Sequence, residues 1–220
     1  MGKPVLVVTG TLREAGLVKR AGIKTVAGGS DPAGLVRRLR EAAPHVAGVI
    51  SFGMAGGLDS RLPLGAVVIG RGVTGAFPRD CDEAWARALK AMLPEAHLGA
   101  IHADGRLSAD AAEKAVRGRS GALAVDMESH IAGAIAMEAR LPFAVLRCIS
   151  DEAGASLPPA ISVSMKPNGG VAYGAVLASL LRHPGQLPAL IRTGRGFGQS
   201  FARFGSVLTA VEGRLGFDHR

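Results

Sequence analysis

The sequence of 220 residues has few aromatic residues and few cysteines, and each shortage narrows the class of protein. Aromatic residues make up 4% of the chain, so a core must be built mainly from Ala, Val, Leu and Ile. The two cysteines, Cys81 and Cys148, lie far apart without a metal-binding spacing, which favours a reducing compartment over a disulfide framework. The six His residues show no ligand spacing either, so no metal is expected.

Membrane-spanning and targeting segments are also lacking. No stretch is long and apolar enough to span a bilayer, and the opening run MGKPVLVVTG is too short for a signal peptide. The net charge of +8 favours anionic ligands or surfaces. However, no DNA- or RNA-binding motif is recognisable, and few aromatic side chains are present to stack on bases. We therefore expect a cytoplasmic protein without a nucleic-acid partner, and a peripheral contact with the inner face of the membrane stays open.

The alternation of apolar runs with helical segments indicates an α/β fold. Strands are predicted from apolar runs at residues 4–9, 46–52, 66–69, 98–103, 122–125 and 143–150. Helices are predicted at residues 31–44, 82–93, 109–117, 128–140 and 170–182. This order predicts a three-layer domain in which helices flank a central mixed, mostly parallel sheet. Residues 10–16 and 53–57 are predicted as loops that follow strands.

The end of the chain has a different pattern. Residues 1–182 are predicted to form the main domain, and residues 183–220 a basic amphipathic helical tail. Two helical segments are expected in this tail, at residues 186–192 and 197–215. A basic amphipathic helix can lie on a membrane or pack on its own domain, and both alternatives stay open at this point.

Polar or glycine-rich segments follow four of the predicted strands, and in a parallel sheet such segments share one edge. They contain neither a G-x-G-x-x-G fingerprint nor a P-loop. Gly53 and Gly56 are therefore expected to let the backbone approach a flat ligand or a sugar. Carboxylates at this edge lie in a cleft and not in the core, where an unpaired charge is costly.

Several stretches, in order along residues 4–155, resemble one known family. The opening strand and loop, VISFGMAGGL, VDMES and RCISDEA resemble the purine nucleoside phosphorylase and methylthioadenosine/adenosylhomocysteine nucleosidase superfamily. Within it, GALAVDMES, ADAAEK and the tail are most similar to the hopanoid-associated phosphorylase branch. The resemblance implies that residues 1–182 are a catalytic domain that removes adenine from adenosylhopane. It also implies a homo-oligomer in which a partner subunit closes the 5′ side of the site.

The resemblance assigns catalytic roles to Asp151 and Glu128. Asp151 would protonate N7 of the purine, and to hold that proton near neutral pH it needs a pocket of low dielectric constant. Glu128 would accept hydrogen bonds from the ribose hydroxyls and favour the cationic sugar. The neighbouring Asp126 and Glu152 are interpreted as a local cap or a solvated carboxylate. Substrate contacts are predicted for Met127, Ser150, Gly53, Ala55, Gly56, Leu107 and Arg106, the last by stacking on the purine.

The attacking group stays open. Nucleosidases of the superfamily carry a water-activating Glu in the first loop, where this chain has Ala15, and Glu14 stands one position earlier. Gly10, Thr11 and Arg13 are the alternative, as ligands of phosphate. No cofactor is expected, and phosphate is considered as a co-substrate.

Three functions are compared. The leading one is adenine release from adenosylhopane, and the second is a soluble methylthioadenosine/adenosylhomocysteine nucleosidase. The third is a non-catalytic protein that binds a nucleoside or a lipid. Because hopane is a large hydrocarbon, its pocket must open to a membrane or to an apolar groove, and Phe77, Phe197 and Phe201 are candidates for that contact.

Overall fold

A computed structural model describes residues 2–211 and 213–219, so Glu212 and Arg220, which the tail prediction includes, lie outside the described residues, as does Met1. Within these ranges, eight strands form one sheet. The strands are β1 Val5–Thr9, β2 Ile23–Ala27, β3 Gly48–Gly57, β4 Val67–Gly75, β5 Arg79–Asp80, β6 His97–Ala103, β7 Ala124–Asp126 and β8 Phe143–Asp151. They are hydrogen-bonded in the order β2-β1-β3-β7-β6-β4-β5, and β8 pairs with both β3 and β4.

The sheet is mixed and mostly parallel, which confirms the predicted fold class. β1 pairs in parallel with β2 and β3, β3 with β8, and β6 with β4 and β7. The carboxyl ends of β1, β3 and β8 therefore lie at one edge. β7 runs antiparallel to the end of β3, so Asp126 returns beside Ala55 and does not extend to that shared edge.

Helices cover both faces of the sheet. They are α1 Leu12–Leu17, α2 Pro32–Ala42, α3 Glu83–Met92, α4 Ala111–Gly118, α5 Ser129–Glu138, α6 Pro159–Ser162, α7 Tyr173–Arg182 and α8 Leu187–Thr209. Successive residues of β1 point to opposite faces. Val5 joins the core cluster that contains Phe204 of α8, and Leu6 joins the cluster that contains Leu39 of α2. These two clusters form the cores between the central sheet and the helix layer on each of its faces.

The structure differs from the predicted elements at several places, and the short elements β5 and α6 are among those not predicted. Residues 10–16, predicted as a loop, contain α1, because Thr11 and Glu14 form a capping box. β2 is not predicted, since this edge strand is only partly buried and carries the exposed Lys24. Residues 53–57, also predicted as a loop, are the end of β3, which stays paired with β8 as far as Gly56.

The tail packs on the sheet through one continuous helix. The segments predicted at 186–192 and 197–215 become α8, which ends at Thr209. Its buried Phe204 stacks on Phe52 of β3 with ring centroids 4.6 Å apart. Phe197 and Phe201 are partly buried against the same core. No helix in the described ranges has both the length and the apolar character needed to cross a bilayer.

Candidate active site

The predicted site residues come together where β1, β3 and β8 end, beside β7. The register of β3 against β8 places Gly53 opposite Arg147 and Gly56 opposite Asp151. Glu128 lies between β7 and α5, and Glu14 lies in the first turn of α1. Two groups of charged side chains result, one near Gly53 and the other near Gly56.

Glu14 is buried, and its carboxylate is held by three donors. Thr11 donates through its backbone N–H at 2.7 Å and its hydroxyl at 2.8 Å, and both bonds reach Oε2. The backbone N–H of Met54 donates to Oε1 at 2.7 Å. The capping box therefore turns the side chain of Glu14 back towards the strand ends, although the sequence resemblance places Ala15 at the position of the carboxylate.

Two glycines leave the space that the carboxylates occupy. A Cβ at Gly10 would lie 3.2 Å from Oε1 of Glu128 and 3.3 Å from Oε2 of Glu14. Both carboxylates thus face the same point of the backbone. At Gly53 the φ angle is +148°, and a Cβ would lie 2.5 Å from Oε1 of Glu14 and 3.0 Å from Nη1 of Arg147. A side chain at Gly53 would collide with the group.

Arg147 supplies the positive charge on this side and is not predicted from the sequence. Its side chain is fully buried, and Nη2 donates to the hydroxyl of Ser51 at 2.5 Å. Nε lies 2.8 Å from Oδ2 of Asp126, an ion pair whose angle does not fit a hydrogen bond, and Nη2 lies 3.8 Å from Oε2 of Glu128. A charged residue inside the apolar run FAVLRCIS is the signal that could have found it, because burying a charge demands a partner.

Asp126 does more than the local cap predicted for it. Its Oδ1 accepts from the backbone N–H groups of Glu128 at 3.0 Å and Ser129 at 2.8 Å. These bonds cap the start of α5, as expected, and at the same time Asp126 pairs with Arg147. Glu152, in contrast, has an exposed side chain.

Glu128 holds its proton more strongly than an ordinary glutamate. Burial raises the pKa of Glu128 to about 8; Arg147 opposes this rise, and the charges of Asp126 and Glu14 add to it. Two carboxylates, those of Asp126 and Glu128, thus pair with the guanidinium of Arg147, and a third, that of Glu14, lies nearby. The carboxylates around Arg147 outnumber the positive charges, so this part of the site suits a ligand that carries or develops a positive charge.

Asp151 and Ser150 form the second group, at the end of β8. The hydroxyl of Ser150 lies 2.8 Å from Oδ1 of Asp151 and 3.2 Å from the carbonyl oxygen of Ala55. A Cβ at Gly56 would lie 3.1 Å from Oδ2 of Asp151, so this glycine leaves space for the carboxylate. The structure thus brings together four of the predicted residues on this side.

Lys114 of α4 pairs with Asp151, and the sequence does not predict this contact. Its Nζ donates to Oδ2 of Asp151 and to the carbonyl oxygens of Glu152 at 2.9 Å and Ala155 at 2.8 Å. Lys114 is the buried residue of α4. No sequence signal marks it, because a lysine in an amphipathic helix ordinarily faces solvent.

Arg106, Leu107 and Arg13 are not brought into these groups. The side chains of Arg106 and Leu107 are exposed, so the structure gives Arg106 no buried stacking position. The guanidinium of Arg13 lies over the ring of Phe201 in α8, 4.0 Å from its centroid, and does not face Glu14. Met127 is half-buried between Asp126 and Glu128. Within residues 2–211 and 213–219, no cluster of His, Cys, Asp or Glu could hold a metal ion.

This arrangement can be compared with known proteins. Residues 3–162 match the sequence profile described as the Phosphorylase superfamily. The chain belongs to this superfamily. The match confirms the resemblance at this level, and with it the expectation of an enzyme. No curated protein matches the chain significantly.

Solved structures share the fold at low sequence identity. An S-adenosylhomocysteine nucleosidase from Streptococcus pyogenes aligns with a TM-score of 0.68 and 16% identity over 96% of each chain. A futalosine hydrolase of Helicobacter pylori gives 0.65 and 13% over 94% of this chain and 96% of its own. A 5′-methylthioadenosine/S-adenosylhomocysteine nucleosidase from Neisseria meningitidis, in complex with methylthio-immucillin-A, gives 0.61 and 18% over 82% and 99%. These likenesses confirm the fold.

Proposed function

We propose that the protein cleaves the N-glycosidic bond of a 5′-substituted adenosine and releases adenine, and that its substrate is adenosylhopane in bacterial hopanoid biosynthesis. The observation that carries this proposal is the convergence of Glu14 and Glu128 on Gly10, with Asp151 on the strand paired to β3. The similarity to nucleosidases supports the reaction type. The sequence resemblance to the hopanoid-associated branch supports the choice of substrate.

Each carboxyl group has a separate task in this reaction. Asp151 gives a proton to N7 of the purine, so that the base leaves as a neutral molecule; such acid catalysis accelerates a reaction by about 10²–10⁴-fold. Glu128 hydrogen-bonds the ribose hydroxyls, with the pKa of its carboxyl raised by burial. The negative charge of the group around Arg147 favours the cationic sugar that forms as the bond breaks.

Water is the attacking group that the geometry favours, and Glu14 is its activator. Glu14 and Glu128 face the same point at Gly10, where a bound water could be oriented by both. The alternative, phosphate, finds few free donors. The backbone N–H of Thr11 already donates to Glu14, and Arg13 lies on Phe201. Phosphorolysis, with phosphate as co-substrate, is the outcome that would replace hydrolysis.

Adenine release from adenosylhopane, measured with and without phosphate, tests this proposal. Hydrolysis predicts the same rate in both and a ribosyl hopanoid product with a free anomeric hydroxyl. A rate that requires phosphate and a phosphoribosyl product would show phosphorolysis instead. Faster release from methylthioadenosine than from adenosylhopane would support the second candidate, the soluble nucleosidase, which the structural similarities favour. If no adenosine derivative is cleaved, the protein is a binding protein.

We also propose that the enzyme is cytoplasmic, forms a homo-oligomer and makes a peripheral contact with the membrane. The surface best suited to this contact is the exposed face of α7. This helix exposes Tyr173, Leu177 and Leu181 at four-residue spacing, whereas its buried residue is Ser179. An apolar stripe on the outer face of a helix indicates that something covers it. No Asp or Glu occurs between residues 153 and 211, where five Lys and Arg residues lie. Anionic lipid complements the charge of this basic segment, whereas a second copy of the same segment would not.

Vesicle flotation tests this surface. The wild type should float with vesicles that contain anionic lipid and not with phosphatidylcholine alone, and the double variant Leu177→Ser/Leu181→Ser should stay behind. Met137→Ser removes another exposed apolar side chain, on α5, and is the matched control. Negligible flotation of the wild type would exclude the contact. A lower mass of the double variant in light scattering would show that α7 instead joins two subunits.

A further inference from the structure

Lys114 touches the candidate acid but has no proton donor left for a substrate. The lysine ammonium has three N–H groups, and all three are engaged, by Asp151 and by the carbonyl oxygens of Glu152 and Ala155. The side chain is 0% exposed. Whatever Lys114 does in the reaction, it does through Asp151.

Lys114 and Asp151 lie in surroundings that make the charged form of the pair less favourable relative to its neutral form. Asp151 keeps 13% of its side chain exposed, and Lys114 keeps none. A purine bound against Asp151 would remove that remaining contact with water. Loss of water disfavours separated charges, so the neutral form of the pair, an amine beside a carboxylic acid, comes closer in energy to the ion pair.

Ser150 can accommodate both forms of Asp151. A hydroxyl has one proton to give, and the carbonyl oxygen of Ala55 can only accept. When Asp151 is ionised, Ser150 donates to Oδ1. When Oδ2 carries a proton from Lys114, Oδ1 is a carbonyl oxygen, and Ser150 can still donate to it. No other group has to move as the proton on Asp151 comes and goes.

We propose that Lys114 and Asp151 donate the proton as a pair, with Lys114 as a positioning residue that resupplies Asp151; this inference rests on the proposed function. An N–H proton of Lys114 moves to Oδ2 of Asp151, which leaves a neutral amine. The carboxylic acid then gives its proton to the purine nitrogen while the electron pair of the C1′–N9 bond passes into the purine. After adenine leaves, Asp151, which is partly exposed, takes a proton from solvent and returns one to Lys114.

The consequence concerns pH. Without Lys114, Asp151 can take its proton only from solvent, where protons become scarcer as the pH rises. With Lys114 in place, the ammonium that already donates to Oδ2 supplies the proton directly. In Lys114→Met, kcat/KM for methylthioadenosine should therefore fall by about 10²-fold at pH 8, within the range of general acid catalysis, and much less at pH 5.

The experiment compares two substrates. Methylthioadenosine needs a protonated leaving group, whereas p-nitrophenyl β-D-ribofuranoside releases a stable phenolate that does not. Lys114→Met should lose activity on the first and keep it on the second, which also reports that the variant is folded. Lys90→Met is the matched control, because Lys90 binds the carbonyl oxygens of Pro94 and Ala96 without a carboxylate.

Lys114→Arg separates proton supply from charge. Arginine keeps the positive charge but does not release a proton at working pH. The proposal predicts that Lys114→Arg still loses the alkaline part of the pH profile. Full activity of Lys114→Arg at pH 8, or an unchanged profile in Lys114→Met, would overturn it. If the wild type cleaves neither substrate nor adenosylhopane, the proposed function itself has failed.

Discussion

The two sides of the candidate active site differ in their charge balance. Near Gly53, the carboxylates of Asp126 and Glu128 pair with the guanidinium of Arg147, and the carboxylate of Glu14 lies nearby. Near Gly56, the carboxylate of Asp151 faces the ammonium of Lys114 in a one-to-one pair. The first group is short of positive charge, and the second is balanced.

This difference matches the charges that develop when an N-glycosidic bond breaks. The sugar becomes cationic, and an excess of fixed negative charge stabilises it. The purine receives an electron pair and needs a proton, which a pair with one mobile proton can give. Each of the following variants changes a residue on one side of the site and leaves the other side intact.

Asp151→Asn should have the largest effect. An amide cannot give its proton to the purine, so adenine release should fall by about 10⁴-fold, at the upper end of acid catalysis. Measurement of kcat on methylthioadenosine checks this. The sugar side is untouched, so cleavage of p-nitrophenyl riboside should continue. Retained adenine release would remove Asp151 from the mechanism, and loss of both activities would indicate that the unpaired Lys114 has disrupted the fold.

Glu128→Gln should come next, with kcat lowered by about 10³-fold on both substrates, because an amide, unlike a carboxyl group, cannot become an anion beside the cationic sugar. This loss on both substrates distinguishes the sugar side from the base side. A variant that loses activity only on methylthioadenosine would contradict the assignment.

The same variant should change stability with a defined sign. Glu128 has a pKa of about 8 in the folded chain, against the ordinary glutamate pKa of 4.5, so folding favours its protonated form. Wild-type stability therefore decreases as the pH rises from 4.5 to 8, because the unfolded chain is free to ionise. Gln does not titrate. The Tm of Glu128→Gln relative to the wild type should thus be higher at pH 8 than at pH 5, and a constant difference would show that Glu128 is not held protonated.

The residues on which this comparison depends were unequally predictable from the sequence. Glu128 and Asp151 stand at the ends of recognisable strands, and strand ends in such folds meet at a binding edge. Glu14 is readable from Thr11-x-x-Glu14, a capping-box signature that turns the glutamate back onto the preceding strand. The resemblance to the family alone would have pointed to Ala15 at the position of this glutamate.

Arg147 stands out in the sequence as a charge inside an apolar run, whereas no sequence signal marks Lys114. Both are fully buried charges, and whether a lysine on a helix is buried depends on which loop packs over it. The three acceptors of Lys114 lie 37 to 41 residues further along the chain, on the segment after β8. Local patterns cannot report such a contact. The edge strand β2 escaped prediction for a similar reason, since its pairing with β1 outweighs its weak apolar pattern.

Glu14→Gln tests the attacking side and should lower hydrolysis of both substrates by about 10²-fold, a typical effect of losing a general base. Arg13→Ala is the matched control, because Arg13 neighbours Glu14 in the chain but lies on Phe201. It should leave the rate unchanged, with or without phosphate. If Arg13→Ala is inactive and the wild-type rate depends on phosphate, the attacking group is phosphate and not water.

Ser150→Ala should have the smallest effect, and it tests how Asp151 is oriented on the side of the site that binds the base. Loss of one hydrogen bond to Asp151 costs about 1 kcal/mol, so kcat/KM for methylthioadenosine should fall between fivefold and about tenfold. Cleavage of p-nitrophenyl riboside should not change, and Ser150→Thr, which keeps the hydroxyl, should restore the rate. Because Ser150 orients Asp151 without supplying a proton, the pH profile should remain that of the wild type. A profile shifted like that expected for Lys114→Met would instead make the hydroxyl part of the proton path.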